Sequence, residues 1–321
     1  MFTRPVFRFV RDDTRFAFMK ARYWGLAGSA VLSTLSIVLA LVFGLNLGID
    51  FKGGIVMEAR TPATADIAHL HQVLSADGVP AAGIQRFGAP DDVLIRLDAQ
   101  KSSADNQQVQ DRVRASLQRA APGTRVLRAD VVGASVSAEL FRNGILALAI
   151  SLAMILVYIW FRFEWQFAVG AVATLLLDVT KTIGFLALTR IEFDLVMVAA
   201  ILTIIGYSTN DKVVVYDRVR ENLRKYKTMP LRNLIDLSIN ETLNRTLGTS
   251  STVFLASLPL ALFGGHTLAG FAWVMLFGIL IGTSSSIMIA APILLLLGEH
   301  RLRRDVRELP KTATASAAPA R

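Results

Sequence analysis

Apolar residues run along this chain in stretches longer than a soluble fold uses. Trp24 to Leu47 carries no charged residue, and neither does Asn143 to Phe161. Trp165 to Leu177 is clean and then continues past Asp178 and Lys181 to Thr189. Leu195 to Asn210 leads into Asp211 and ends near Tyr216. Leu247 to Leu297 carries only His266, and the turn Phe263-Gly264-Gly265-His266 divides it in two. Since about 20 apolar residues cross a bilayer as a helix, the pattern predicts a polytopic α-helical membrane protein with about six transmembrane helices. The first occupies 24–47, and the other five, joined by short loops, occupy 139–299.

Between the first two spans the pattern changes. Residues 48–138 are polar and mixed in charge, as expected of a water-soluble domain outside the membrane. Ile55-Val56-Met57-Glu58-Ala59 reads as a strand. Asp66 is placed to cap a helix running to Ala76, with Ile67, Leu70, Val73 and Leu74 at helical spacing. Gly83–Phe87 and Val93–Leu97 read as two more strands, Asn106–Ala120 as a helix, and Arg125–Val132 as a last strand. The order βαββαβ predicts a ferredoxin-like α+β sandwich. That fold hosts many activities and identifies none. Gly53-Gly54 signals a turn or a close backbone approach, not a nucleotide site.

Composition agrees with the membrane class, with 53% hydrophobic residues and a mean hydropathy of +0.48. The net charge of +9 raises the question of nucleic acid. Its distribution answers it. The cations gather in residues 1–23, at Arg162, in the segment from Arg218 to Arg232, and in residues 300–321, which are alternate loops. By the positive-inside rule these loops and both termini are cytoplasmic, and residues 48–138 lie on the opposite side of the membrane. No aromatic-basic surface module accompanies the charge, so nucleic acid is not the expected partner. The first apolar run is too long for a signal-peptide core and reads as a retained anchor. The Ala- and Thr-rich end after Lys311 reads as disordered. The chain has no cysteine, which excludes disulfides and thiolate metal sites. His69 and His71, two apart on a helix, do not share a face, so no metal and no cofactor is expected.

The chemistry lies in charges set within apolar runs. Asp211 sits between one and two turns from the cytoplasmic end of its helix, and Arg245 enters the next span at a similar depth. Such charges persist where they face a bundle interior and serve a proton relay, an ion pathway or a structural ion pair. The two helices are sequence neighbours and antiparallel, so contact between Asp211 and Arg245 is expected. Burial raises a carboxyl pKa and a nearby guanidinium lowers it, so a changing separation would change proton affinity. A static salt bridge is the alternative. Arg245, Gly248, Thr249, Thr252 and Ala256 share a small, polar helical face, and Gly278, Gly282 and Ser286 form a second small-residue seam. Asp178 and Lys181 form an i, i+3 pair that either fixes packing or takes part in transport, and Asn210 precedes the principal carboxylate. Lys212 reads as a residue that snorkels to the headgroups, and Asp217 and Arg218 as helix-end anchors.

Five blocks then carry a resemblance. Gly48-Ile49-Asp50-Phe51-Lys52-Gly53-Gly54 follows the first span, and Val131-Val132-Gly133-Ala134-Ser135-Val136-Ser137-Ala138-Glu139-Leu140 leads into the second. Phe161-Arg162-Phe163-Glu164-Trp165 joins spans two and three. Gly206-Tyr207-Ser208-Thr209-Asn210-Asp211 is followed by Asp217-Arg218-Val219-Arg220-Glu221-Asn222, and then comes Thr242-Leu243-Asn244-Arg245-Thr246. In content and order these resemble the SecF side of the SecD/SecF family of protein-export membrane subunits, of the resistance-nodulation-division superfamily. The resemblance implies a heteromeric complex with SecD, association with the SecYEG channel and YajC, and use of the proton-motive force to draw preproteins across the inner membrane. It implies a proton-coupled translocase subunit, not an enzyme, with Asp211 and Arg245 in proton conduction. Leu177 stands where members often have histidine, and Lys181 where an apolar residue is common, so the resemblance transfers no role to Asp178. Two other classes fit the bare pattern: half of a proton-driven efflux transporter of the same superfamily, and a membrane-anchored sensor or scaffold.

Overall fold

The computed structural model describes residues 15–79, 81–98 and 103–297. The Ala- and Thr-rich end expected to be disordered, and most of the terminal basic residues, lie outside them. In chain order the elements are α1 (Arg22–Phe43), the short α2 (Ile49–Lys52), β1 (Gly54–Arg60), α3 (Ile67–Ala76), β2 (Ala81–Phe87), β3 (Ala89–Leu97), α4 (Ser103–Ala120) and β4 (Arg125–Val132). There follow α5 (Ala134–Arg162), α6 (Trp165–Thr189), α7 (Leu195–Lys225), α8 (Leu231–Phe263), α9 (Gly265–Ser285), a π-helical turn (Ser286–Ala290) and α10 (Ala291–Leu296).

Six helical segments are long and apolar enough to cross a membrane, the sixth running from α9 through the π turn into α10. In lipid every backbone polar group must be satisfied within the protein, and helices do this locally. α6, α7 and α9 form the interior of the bundle, while α1, α5 and much of α8 lie outside. Trp24, Leu41, Ile150, Met154 and Phe161 are all exposed, as lipid-facing side chains are. Aromatic residues Tyr23, Trp24, Trp160 and Trp165 gather at one end, where an interfacial belt belongs. Small residues set the closest approaches. A Cβ on Gly184 of α6 would collide with Ser36 of α1, and one on Gly278 of α9 with Ile204 of α7. At Gly282 it would lie 3.1 Å from the Ser208 Cβ, so the Gly278–Gly282 seam is seated against α7.

The domain between α1 and α5 is a four-stranded antiparallel sheet in the order β2-β3-β1-β4. With α3 and α4 on one face this is the ferredoxin-like arrangement that the element order predicts. Ile55, Met57, Leu74, Ile95, Val113 and Leu117 fill its core. Asp66 caps α3 by accepting hydrogen bonds from the amides of Ala68 and His69, each at 3.1 Å.

The other face of the sheet looks toward the end of the bundle. A cavity of about 640 Å³ lies there, lined by Val56, Glu58 and Leu94 of the sheet and by Ile191, Glu192 and Trp273 of the helical part. Gly53 and Gly54 adopt φ of +72° and +132°, and a Cβ on Gly53 would meet the Ser137 hydroxyl at 3.1 Å. The glycine pair therefore marks both a turn and a close approach. The 190–194 loop fastens the domain to the bundle. The Gly48 amide donates to the Phe193 carbonyl at 2.9 Å, and the Phe193 amide to the Asn46 carbonyl at 2.8 Å. The Leu195 amide donates to Asp50 at 3.1 Å, and Arg96 of β3 pairs with Glu192 at 2.6 Å. The Phe51 ring packs on Phe141 and Phe193.

Candidate functional site

α7 is capped at its start by Asp194, whose side chain accepts from the Met197 amide at 2.9 Å. Along it Ser208, Asp211, Lys212, Val215 and Val219 recur at helical spacing and all are buried. This face therefore brings one carboxylate and one ammonium into the bundle together. α6 contributes Asp178 and Lys181 from its own buried stripe.

Asp178 is the hub. Its Oδ2 accepts from Lys212 Nζ at 2.9 Å, from Ser208 Oγ at 2.8 Å and from Ser285 Oγ at 2.8 Å. Lys212 also donates to the Ser208 hydroxyl. The Oδ1 of Asp178 is buried and has no hydrogen-bond partner among the described residues, and Lys181 Nζ stands 4.0 Å away. Lys181 donates instead to Ser29 of α1 at 2.8 Å. The expected Asp178–Lys181 pair is present at its outer limit, and the closer partner is Lys212. That corrects the expectation for Lys212, which is 1% exposed and reaches inward, not to the headgroups. The lysine shares the buried face with Ser208 and Val215, where a carboxylate is within its length. Next to this cluster, Ser285 leads into the π turn, and Tyr216 donates to the Ala290 carbonyl at 3.2 Å. Such turns recur at functional sites.

Asp211 is 1% exposed and accepts from Thr283 of α9 at 3.4 Å. The same hydroxyl is 2.7 Å from Ser250 of α8. Arg245 is exposed, and no ion pair joins it to Asp211 among the described residues. The expected contact is absent because α7 and α8 meet at their basic ends, through Arg218–Glu241 at 2.7 Å and Asn222–Ser238 at 3.0 Å. Higher in the bundle, α9 packs against both and Thr283 bridges them. Asn210 is exposed, as are Thr203 and Gly206 on the same side of α7. Gly248 has open space where a Cβ would stand, so the small polar face of α8 also points outward. Asp217 pairs with Arg162 at 2.7 Å, and Arg218 with Glu241 and Glu221. Among the described residues no group of three or more His, Cys, Asp or Glu side chains is poised to hold a metal.

Residues 112–300 match the family described as Protein export membrane protein SecD/SecF, C-terminal, and residues 38–61 match the SecD/SecF GG motif. The chain belongs to the SecD/SecF family. Among curated relatives it is similar to Protein translocase subunit SecF of Rickettsia bellii strain OSU 85-389, with 41% identity over 275 residues, covering 85% of this chain and 90% of the relative. It is similar also to the SecF of Cereibacter sphaeroides, with 44% identity over 261 residues, covering 79% and 80%. Among solved structures, SecDF of Thermus thermophilus, described as a translocon-associated membrane protein, superposes with a TM-score of 0.81 at 33% identity. That match covers 90% of this chain and 39% of the other. SecDF in a super-membrane-facing form matches with a TM-score of 0.68 at 31% identity, covering 95% and 41%. This SecD/SecF chain therefore spans about two fifths of those solved chains. The GG motif is the segment that holds the sheet domain against the 190–194 loop. The C-terminal family region contains every buried charge of the bundle.

The sequence pointed to Asp211 and Asp178 as buried charges. It missed Lys212 as the ion partner and Ser29, Ser208, Ser285 and Thr283 as hydrogen-bond donors or acceptors. The signal for Lys212 was its fourth-residue spacing from Ser208, which puts it on the interior face. The hydroxyls had no such signal, because their use depends on which helices meet.

Proposed function

We propose that this chain is the SecF-type subunit of the protein-export machinery and that, with a SecD partner, it uses the proton-motive force to promote translocation of preproteins. It acts as a transport subunit, not an enzyme. The basic ends lie in the cytoplasm, the sheet domain lies in the periplasm of an inner membrane, and SecYEG and YajC are its neighbours. The observation that carries this reading is a buried carboxylate, Asp211, beside helix faces whose polar residues are uncovered. Asn210 and Arg245 are both exposed within spanning helices. A charge near the middle of a spanning helix costs about 2.5–3.5 kcal/mol in lipid, so such a face calls for a protein cover. A second, related bundle supplies that cover, and the two solved proteins that this chain resembles are named SecDF and are more than twice its length.

Proton binding then has a simple physical basis. Asp211 is buried and its hydrogen-bond partner is a neutral hydroxyl, so its charge depends on what approaches from the uncovered side. Approach of Arg245 favours the carboxylate, and withdrawal favours the acid. A membrane potential supplies about 2.3 kcal/mol per charge per 100 mV to such a cycle. The test is reconstitution with the SecD partner in vesicles that import a preprotein under a proton gradient. Asp211→Asn is expected to abolish the gradient-dependent part of translocation while leaving the complex assembled. Undiminished gradient-dependent translocation by that variant would overturn the reading.

A further inference from the structure

Among the described residues four charged side chains are shut into the bundle. Asp178, Asp211 and Lys212 are each 1% exposed, and Lys181 is 3% exposed. With all four ionised the set is neutral. A proton on Asp211 would leave one positive charge in excess inside an apolar interior, which is costly wherever it is not compensated. The excess is relieved if a proton leaves one of the lysines. Buried lysines surrender protons readily, unlike arginine.

The two lysines are not held alike. Lys212 donates to the Asp178 carboxylate at 2.9 Å and lies against the hydroxyls of Ser208 and Ser285. Lys181 has three donor protons as an ammonium but, among the described residues, a single hydrogen bond, to Ser29 at 2.8 Å. Its distance to Asp178 Oδ1 is 4.0 Å, and that oxygen is buried without a hydrogen bond from any described residue. The charged groups that act on Lys181 are Asp178 on its own helix and Lys212 on α7. α1 offers the neutral Ser29, and the end of α9 offers Ser285 to the far oxygen of Asp178. Lys212 also adjoins Asp211 in the chain. The four groups therefore run in the order Asp211, Lys212, Asp178, Lys181, with the weakest-held ammonium at the end.

We propose that Lys181 is a second proton-exchanging group, which gives up a proton when Asp211 takes one up. The step conserves charge. A proton from water on one side of the membrane forms an O–H bond on the Asp211 carboxylate, one N–H bond of the Lys181 ammonium breaks with its electron pair staying on nitrogen, and that proton passes to water. Loss of the Asp211 charge leaves Lys212 to Asp178 alone. Lys212 then satisfies that carboxylate by itself, and Lys181 remains as a neutral amine bonded to Ser29. The reverse transfer resets the cluster. The inference rests on the reading of Asp211 as the proton-binding carboxylate.

The test uses the full chain reconstituted with its SecD partner in proteoliposomes, with proton flux followed by a pH-sensitive dye. Lys181→Arg keeps the positive charge and cannot deprotonate, so flux is expected to fall at least about tenfold in a complex that still co-purifies. Lys181→Met removes the titrating group, and its pH–flux profile is expected to lose one limb. Flux in Lys181→Arg within about twofold of the parent would overturn the proposal and make Lys181 a static charge. Should Lys181→Arg fail to assemble, Lys181→Met decides, because a pH profile identical to the parent's also overturns it. Asp211→Asn separates the two readings. If it keeps full flux, the proton-coupled function fails; if it is inactive while Lys181→Arg is normal, only the role of Lys181 fails.

Discussion

The sheet domain and the helical bundle solve the same problem in opposite ways. In the domain an apolar cluster forms the core, and charges sit at its rim in pairs such as Arg60–Asp92 at 2.7 Å and Arg119–Asp77 at 2.7 Å. Water and these partners keep both carboxyls ionised. The Arg60 hydrogen bond holds Asp92 below the usual carboxylate range, and the Ser116 hydroxyl does the same for Asp77. In the bundle apolar residues both fill the interior and face outward, and four charges are enclosed among them, around Asp178. Surroundings set the difference. In each of these rim pairs the arginine is more than half exposed, so the pair has water as a second partner and losing the first is tolerable. A bundle charge has none, so each depends on its neighbours, and a change at one is felt at the others.

The largest effect follows directly. Lys212→Met removes the ion partner of Asp178 and leaves a buried carboxylate facing Lys181 at 4.0 Å. Breaking one side of a buried pair costs about 3–5 kcal/mol, whereas replacing both sides with neutral groups is often neutral. The expected outcome is a sharp fall in the melting temperature of the detergent-purified chain, most of it recovered in the Asp178→Asn, Lys212→Met double variant. If the single variant melts like the parent, the inward charges do not depend on one another and the contrast with the domain is broken.

The domain offers the complementary perturbation. Ile95 on β3 is fully buried among Ile55, Met57, Leu74 and Leu117. Truncation to alanine should cost about 2–5 kcal/mol, as large-to-small core changes do. The loss should be local, read as reduced amide protection across β1, β3 and β4 with α6 and α7 unaltered. Loss of protection in α7 as well would mean that the domain and the bundle unfold as one unit.

How much of this was legible beforehand differed by region for the same physical reason. Alternation in Val93–Leu97, the Asp66 cap and the spacing of Leu70 and Leu74 are local signals, and they specified the sandwich down to its element order. Apolar run lengths specified six spans in the same way. The partner of Asp178 was not legible, because an i, i+3 lysine on its own helix looked sufficient while Lys212 lay on another helix. Nor was the separation of Asp211 from Arg245. Sequence adjacency of α7 and α8 suggested contact, but α9 enters the same layer and supplies Thr283. Local chemistry was visible wherever the partner lay on the same element, and hidden wherever packing chose the partner.

The seam between the two regions sharpens the comparison most finely, through Glu192. Its carboxyl is pushed up from the ordinary range chiefly by burial, with Arg96 pulling it back and the nearby Asp194 and Asp50 adding to the rise. The ion pair at 2.6 Å thus offsets only part of the cost of burying the charge. An undocked Glu192 in water would titrate at the usual value. Between the two values the docked state holds a proton that the undocked state has lost. Docking is therefore strongest below that interval and weakens as pH rises through it. Asp92 within the domain has the opposite sign, since its lowered pKa makes its contribution vanish as pH falls. Amide exchange in the 190–194 loop, corrected for intrinsic rates, is expected to slow modestly on going from about pH 8 to about pH 5, and Glu192→Gln should flatten the dependence. Faster exchange at acid pH would mean that the attraction of Arg96 outweighs burial, and that the seam behaves like the domain rim and not like the bundle.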